Sequence, residues 1–271
     1  MTLALVDGDI VAFRCAIAGQ SDFDWGDGVH SNHSCAQSSA DAACSLVDAW
    51  TSLAGCKDKL VTFTGKNNFR YRVLSTYKAN RAGKVKPLAY TYTVEAITKR
   101  FPTQLVDGLE ADDLMGILAT TLPKYQDAVV LTIDKDLRGV PGTHMNPIKD
   151  KFPVEVTEAQ ADYYWLLQTL MGDVTDGYTG IPGVGPKKAE KILTGVPTVP
   201  VMWAKVAKAY ADAGLTEADA LQQARVARIL RRSDYDKATK EVLLWHPTTP
   251  VRLPCMPSTE SAPTTSAASA T

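Results

Sequence analysis

The chain is poor in features that would place it quickly. Of its 271 residues five are cysteine, Cys15, Cys35, Cys44, Cys56 and Cys255, an odd number with no C-x-x-C pair. That argues against a disulfide framework and against a structural zinc site. No apolar run approaches the roughly 20 residues that a membrane span needs. No basic region precedes the first apolar run, which meets an acidic residue at Asp7, so no signal peptide is expected. Charge of neither sign is in excess: 29 Lys and Arg stand against 30 Asp and Glu, a net of −1. Any contact with a polyanion must therefore rest on local clusters. No internal repeat is present, and the setting expected is reducing and cytoplasmic.

What is present begins with a core. Hydrophobic residues make up 45% and charged residues 22%, enough for one large domain or a domain with a smaller companion. Leu3–Val6, Leu60–Thr64, Gln104–Val106 and Ala128–Ile133 read as strands. Between them, helical spacing covers Ser38–Ala54 (stripe Ala42, Leu46, Val47, Trp50, Leu53), Thr91–Phe101 and Ala111–Thr121. Residues 21–36, polar and rich in Gly, Ser and Asp, read as a loop. Alternating strands and helices predict an open, mostly parallel α/β sheet over 1–152. From 153 to 250 the pattern turns helical. Thr157-x-x-Gln160 and Thr216-x-x-Asp219 are capping boxes, and helices are expected over Lys187–Leu193, Val201–Ala213 and Thr216–Arg232. Residues 251–271, mostly Ser, Thr, Ala and Pro after Met256, read as a disordered tail.

Acidic residues recur in clusters: Asp7 and Asp9; Glu110, Asp112 and Asp113; Asp134 and Asp136; Asp173 and Asp176. Alone, each cluster is what a turn, a helix start or a solvated loop shows. Together they sit where apolar runs end or helices begin, and ligands of a parallel sheet bind beyond the C-terminal strand ends. If the chain stays extended, Asp134 and Asp136 face the same way. Converging carboxylates suit Mg²⁺ or Mn²⁺, two of which can activate a water and steady a leaving oxygen in phosphodiester cleavage. Asp22-x-Asp24-x-Gly26 hints at a calcium loop, but Gly26 offers no ligand and the twelfth position is His33.

Two segments suit an anionic partner. Gly180–Lys188, with Gly183 and Gly185 ahead of a helix start and Lys187 and Lys188 on it, has the parts of a helix–hairpin–helix that grips a DNA backbone. Lys66, Arg70, Arg72, Lys78, Arg81, Lys84 and Lys86, interleaved with Phe69, Tyr71 and Tyr77, supply cations for phosphates and rings for bases. Lys78 or Arg81 could also stabilise charge on a reacting phosphate.

In order, Leu5-Val6-Asp7-Gly8, Tyr77-Lys78-Ala79-Asn80-Arg81, Gly108-Leu109-Glu110-Ala111-Asp112-Asp113, Thr132-Ile133-Asp134-Lys135-Asp136, Gly172-Asp173-Val174-Thr175-Asp176-Gly177 and the Gly180–Lys188 hairpin resemble the 5′-nuclease superfamily. Its members include flap endonucleases, the 5′-nuclease domain of bacterial DNA polymerase I and phage 5′→3′ exonucleases. Ala227–Arg231 and Glu241–Pro247 extend the resemblance towards the stand-alone exonucleases of T7-like phages. The resemblance implies a PIN-like (Rossmann-like) sheet and a helix–three-turn–helix DNA clamp. It implies two Mg²⁺ or Mn²⁺ held by Asp7, Glu110, Asp112, Asp113, Asp134, Asp136, Asp173 and Asp176, with Lys78 and Arg81 on the reacting phosphate. A potassium ion at the 180–188 hairpin is a further implication. So is action from 5′ ends, nicks and flaps of duplex DNA, and on RNA–DNA hybrids, in phage replication or recombination, by a monomer. Many relatives carry an Asp after the second strand where this chain has Gly65. That departure leaves a DNA-binding relative without hydrolysis as the alternative. A PIN-type ribonuclease is a third reading, which the clamp disfavours.

Overall fold

Strand β1, Leu3–Asp7, is the central organiser of the computed structural model, which describes residues 3–121, 128–196 and 198–247. Helix α1 (Gly8–Ala18) follows at once, then strands β2 (Gln20–Asp24) and β3 (His30–Ser34), helix α2 (Ala36–Leu53) and strand β4 (Asp58–Thr64). A short α3 (Arg70–Val73), α4 (Tyr90–Arg100), β5 (Thr103–Val106), α5 (Ala111–Ala119) and β6 (Ala128–Leu131) complete the alternation. The main sheet has the order β5-β4-β1-β6-β7-β8, where β7 is Gly142–Met145 and β8 is Val154–Val156. All its pairs are parallel except β7 with β8. Asp7 lies beside Thr62, and Val6 beside Leu131, so β1, β4 and β6 end along one edge.

Side chains alternate across the sheet as a two-residue period requires. Ala4, Val6, Val61, Phe63, Val129 and Leu131 pack on α1, α2 and α4, while Leu5 and Val130 pack on Leu114, Met115 and Leu118 of α5. Burial on both faces is why these strands read as unbroken apolar runs. Helices α6 (Glu158–Met171), α7 (Pro186–Leu193), α8 (Val199–Asp212) and α9 (Glu217–Ala227) enclose a further core around Trp165, Leu170, Met202, Val206 and Tyr210. Both expected capping boxes are formed, at Thr157–Gln160 and Thr216–Asp219. A final hairpin joins β9 (Tyr235–Asp236) to β10 (Glu241–Val242), and Trp245 then sets its ring edge-on to Trp165 and Trp203 at 4.8 and 4.9 Å.

Several expectations need correction. Residues 21–36 hold the antiparallel β2–β3 hairpin, exposed on both sides and so without any apolar alternation to betray it. The buried stripe of α2 is Ala40, Ala43, Cys44, Val47 and Trp50, whereas Ala42 and Leu53 face outward, because the helix packs against both α1 and α4. The sheet continues past 152 into β8, so the boundary expected there cuts a strand pair. Helix α9 stops at Ala227 rather than running to Arg232, because buried groups elsewhere claim its final carbonyls, as described below. The expected tail, 251–271, lies outside the described residues.

The turn after α6 depends on two glycines. Gly172 has φ +71°, and a β-carbon on it would meet the Thr179 carbonyl carbon at 2.3 Å; one on Gly180, φ +57°, would meet the Gly172 nitrogen at 2.3 Å. Two backbones touch there with no space for a side chain. Gly172→Ala is therefore expected to destabilise the chain by at least about 2 kcal/mol, read from the midpoint of urea unfolding.

Candidate active site

Strands β1 and β6 each lead into a carboxylate at the C-terminal edge, whereas β4 ends at Thr64, followed by Gly65. Asp7 closes β1 and caps α1, its Oδ1 accepting from the Ile10 amide at 3.1 Å. Thr132, just beyond β6, donates from its hydroxyl to Asp7 Oδ2 at 3.1 Å and accepts from the Asp134 amide at 3.0 Å. One threonine thus sets both acids. The chain then turns: Asp136 opens a 3-10 turn to Gly139, so the extended backbone expected between Asp134 and Asp136 is not what brings them together. Asp134 Oδ1 accepts the Asp136 amide, and Gln168 of α6 donates to Asp136 Oδ1 at 2.7 Å.

Glu110 caps α5, with Asp112 in its first turn, where the helix dipole favours negative charge. Asp173 and Asp176 come from the turn after α6. Lys135 donates to Asp173 at 3.1 Å, a partner the sequence placed between two acids without revealing its role. The Tyr77 hydroxyl contacts both Glu110 Oε2 at 2.8 Å and Asp176 Oδ2 at 3.1 Å. Lys78 donates to Glu110 at 2.5 Å and lies 3.7 Å from Asp176, while Arg81 donates to Asp176 at 2.6 Å.

The cationic segment is clipped to the turn beneath it. The Lys78 amide donates to the Asp176 carbonyl at 2.8 Å, Asn80 donates to the Val174 carbonyl at 2.7 Å, and Arg81 Nε to the Thr175 carbonyl at 3.3 Å. These bonds hold Lys78 at φ +53°, a left-handed conformation that costs a lysine on the order of 1 kcal/mol. Strain maintained beside a cluster of acids is a mark of a working site.

Three expected site residues have structural roles instead. Arg70 is buried, with all five N–H donors used. Its guanidinium donates to both Asp113 oxygens at 2.6 and 2.8 Å, to Glu110 at 3.3 Å, and to the carbonyls of Val226 and Arg228 at 2.8 Å each. It cannot reach a phosphate. Asp113 is fully buried; it also accepts the amides of Glu110 and Leu230. An Asp113 oxygen lies within 4.8 Å of those of Glu110 and Asp112, a spacing that a metal could bridge, but both its oxygens already face Arg70. Tyr77 is buried edge-on to Tyr71, so of the three rings expected to stack on bases only Tyr71 is exposed. Arg70 also explains where α9 ends: it occupies the carbonyls that a longer helix would have used internally. Lys66, Arg72, Lys84 and Lys86 are exposed, as are Lys187 and Lys188 at the start of α7.

Gly65 has no room for a substitute. A β-carbon there would meet the Val106 carbonyl oxygen at 2.1 Å. Asp9 is tied to the scaffold, accepting from the Thr64 amide at 3.0 Å and the Tyr90 hydroxyl at 2.8 Å.

Electrostatics divide the carboxylates. Burial pushes Asp7 up to about 7, aided by Asp9 and Asp134; burial and then Asp134 push Asp136 to about 7. Burial raises Asp134, and burial with Asp113 and Glu110 raises Asp112 strongly. Burial also works to raise Glu110, but Arg70 and Lys78 outweigh it and hold it below the usual range. Acids that resist ionising together are what a divalent cation relieves, and an all-oxygen donor set fits Mg²⁺ or Mn²⁺.

An α/β sheet with acids at its C-terminal edge and cations clipped over them is the arrangement that carboxylate-dependent phosphoryl chemistry requires. The model of the 5′-3′ exonuclease, N-terminal resolvase-like domain matches residues 2–163, and the chain belongs to that family. It is 29% identical to the exonuclease of Escherichia phage T7 over 90% of this chain and 93% of that one. In fold it is similar to the bacteriophage T5 5′-exonuclease with bound zinc (TM-score 0.65, 16% identity, 84% of this chain and 89% of that one). The T5 flap endonuclease in a pseudo-enzyme-product complex with DNA and metal ions matches at a TM-score of 0.63, with 17% identity over 84% of this chain and 89% of that one.

Removing the buried guanidinium should be costly. Arg70→Met leaves Asp113 charged and unpaired, and about 3–5 kcal/mol of stability is expected to be lost on chemical denaturation. Arg70→Lys should recover little, since an ammonium cannot reach five acceptors at once.

A second expectation concerns pH. Without metal, Asp7 and Asp136 keep protons to about 7 when folded but only to 3.8 when unfolded. The folded state then binds more protons between those limits, so stability falls as pH rises across them. Half-buried His144, held down to about 4 by desolvation against an ordinary 6.5, opposes this, but as one group against two. In chelator, the thermal midpoint should be lower at pH 8 than at pH 6. Adding Mn²⁺, which favours the ionised acids, should shrink the difference.

Proposed function

We propose that this 5′-3′ exonuclease family member hydrolyses phosphodiester bonds from the 5′ ends of duplex DNA, with flap-endonuclease character at nicks and 5′ flaps, in phage replication or recombination. The observation that carries the reading is the convergence of Asp7, Glu110, Asp112, Asp134, Asp136, Asp173 and Asp176 beneath Lys78 and Arg81. Those acids would hold two Mg²⁺ or Mn²⁺, which supply an activated water and charge neutralisation at the leaving oxygen. Lys78 and Arg81 would bear on the reacting phosphate, Lys78 positioned by the strained backbone that the 174–177 turn maintains. Lys187 and Lys188 at the start of α7, beside Gly183 and Gly185, would hold a duplex backbone and read little sequence. Lys66, Arg72, Lys84 and Lys86 would extend that contact. RNA in hybrids is a compatible substrate, because recognition rests on the end and the backbone. Potassium at the hairpin would have to displace Lys188, whose ammonium donates to the Gly183 carbonyl at 2.9 Å. The chain is expected to act as a monomer.

Gly65 supports a second reading, a relative that grips DNA without cutting, since no carboxylate can be accommodated there as the chain is folded. The two part on one assay: a 5′-labelled blunt duplex and a 5′-flap duplex, each with Mg²⁺, Mn²⁺ or chelator. Metal-dependent release of short labelled products supports the nuclease. DNA binding without cleavage under either metal supports the binder. Asp134→Ala is expected to abolish hydrolysis and leave duplex affinity within a few-fold; surviving hydrolysis would overturn the metal assignment.

A further inference from the structure

A further face of α6 lies beyond the carboxylates. A cavity of about 390 Å³ opens beside it, walled by Tyr163 and Tyr164, Val156 of β8, Val196 ahead of α8 and Met202 of α8. Arg138 and Gln160 also line it. Gln160, Tyr164 and Gln168 lie four residues apart on α6 and so share one stripe. Gln168 holds Asp136 at 2.7 Å, so the cavity-lining Tyr164 stands one helical turn, about 5.4 Å along the axis, from the residue that holds a carboxylate of the site. Tyr164 is close enough to feel Asp136, Asp134 and Asp173. Arg138, in the same 3-10 turn as Asp136, is exposed and has no carboxylate partner among the described residues.

We propose that this cavity takes a single nucleotide, its base against Tyr163, Tyr164 and Met202 and its phosphate on Arg138. The inference rests on the nuclease reading for the nucleotide's source, a strand's last unit or the unit just released. The volume is within the range of small-ligand sites, roughly 300–1,000 Å³. Apolar walls with two aromatic rings suit any base, because every base has a π-face. An unpaired guanidinium at the same cavity suits a phosphate and gives no advantage to an apolar side chain, which argues for a nucleotide over a peptide or the chain's own later residues.

The test uses the full chain without metal and deoxyadenosine 5′-monophosphate as probe, followed by ligand-detected NMR, with deoxyadenosine as the control lacking phosphate. Two substitutions at exposed positions divide the contributions. Ala159→Trp fills the cavity and is expected to abolish binding. Arg138→Ala is expected to weaken the nucleotide by about tenfold, to the level of the nucleoside. No saturable binding, or equal binding by Ala159→Trp, overturns the proposal. Hydrolysis of labelled duplex is followed in parallel. Hydrolysis without nucleotide binding removes the cavity's role alone; nucleotide binding without hydrolysis removes the nuclease reading and leaves the cavity.

Discussion

The Arg70 guanidinium is the constraint on which the rest of the structure depends. A charge with no access to water is tolerable only when every donor is matched, and here five donors meet a carboxylate, a second carboxylate and two helix-end carbonyls. Phe69 and Tyr77 rings flank it at 4.7 and 5.8 Å. The arrangement continues along the extended segment after α9. Arg228 pairs with Asp234 at 2.9 Å, and Arg231 pairs with Asp162 at 2.7 Å while donating to the Gly139 carbonyl. Buried pairs of this kind add little net stability over apolar packing, but a wrong register would strand charges. They therefore fix how the helical part sits on the sheet, and with it the separation of Glu110 from Asp176.

That separation matters because the acids come from both parts. Asp7, Asp134 and Asp136 belong to the sheet edge, Glu110 and Asp112 to α5, and Asp173 and Asp176 to the turn after α6. Tyr77 and Lys78 bridge Glu110 to Asp176. The site is therefore preorganised by cations and hydroxyls of the chain itself, which offset repulsion that would otherwise push the two parts apart. Net charge across the chain is −1, yet the local field at this edge is strongly negative and is answered by Lys78, Arg81 and Lys135.

What the amino-acid order revealed follows from what it encodes locally. Leu3–Val6 and Ala128–Leu131 are buried on both faces, so an unbroken apolar run announced each strand, and the acids at their ends could be placed on one edge. Thr157 and Thr216 cap their helices through contacts three residues away, which spacing alone predicts. Other features depend on neighbours far along the chain. Arg70 looked like one of seven solvent-facing cations, and only the fold brings Val226 and Arg228, more than 150 positions later, to cover it. Asp113 has the same spacing to Glu110 as any ligand would, and its direction was decided by that arginine. The β2–β3 hairpin buries neither face, so it lacked a signal. Gly183 and Gly185 drew attention as the flexible pair, yet open space surrounds both, while Gly172 and Gly180 are the two pressed backbone to backbone.

Closure of the Arg70 cage also has a temporal side. Its acceptors at Val226 and Arg228 are made long after the acids of β1 and α5. Until a ribosome has delivered them, Arg70 has nowhere dry to go and Asp113 has no counter-ion. Nascent or prematurely terminated chains would hold the acids and the cations in one polypeptide without the means to align them.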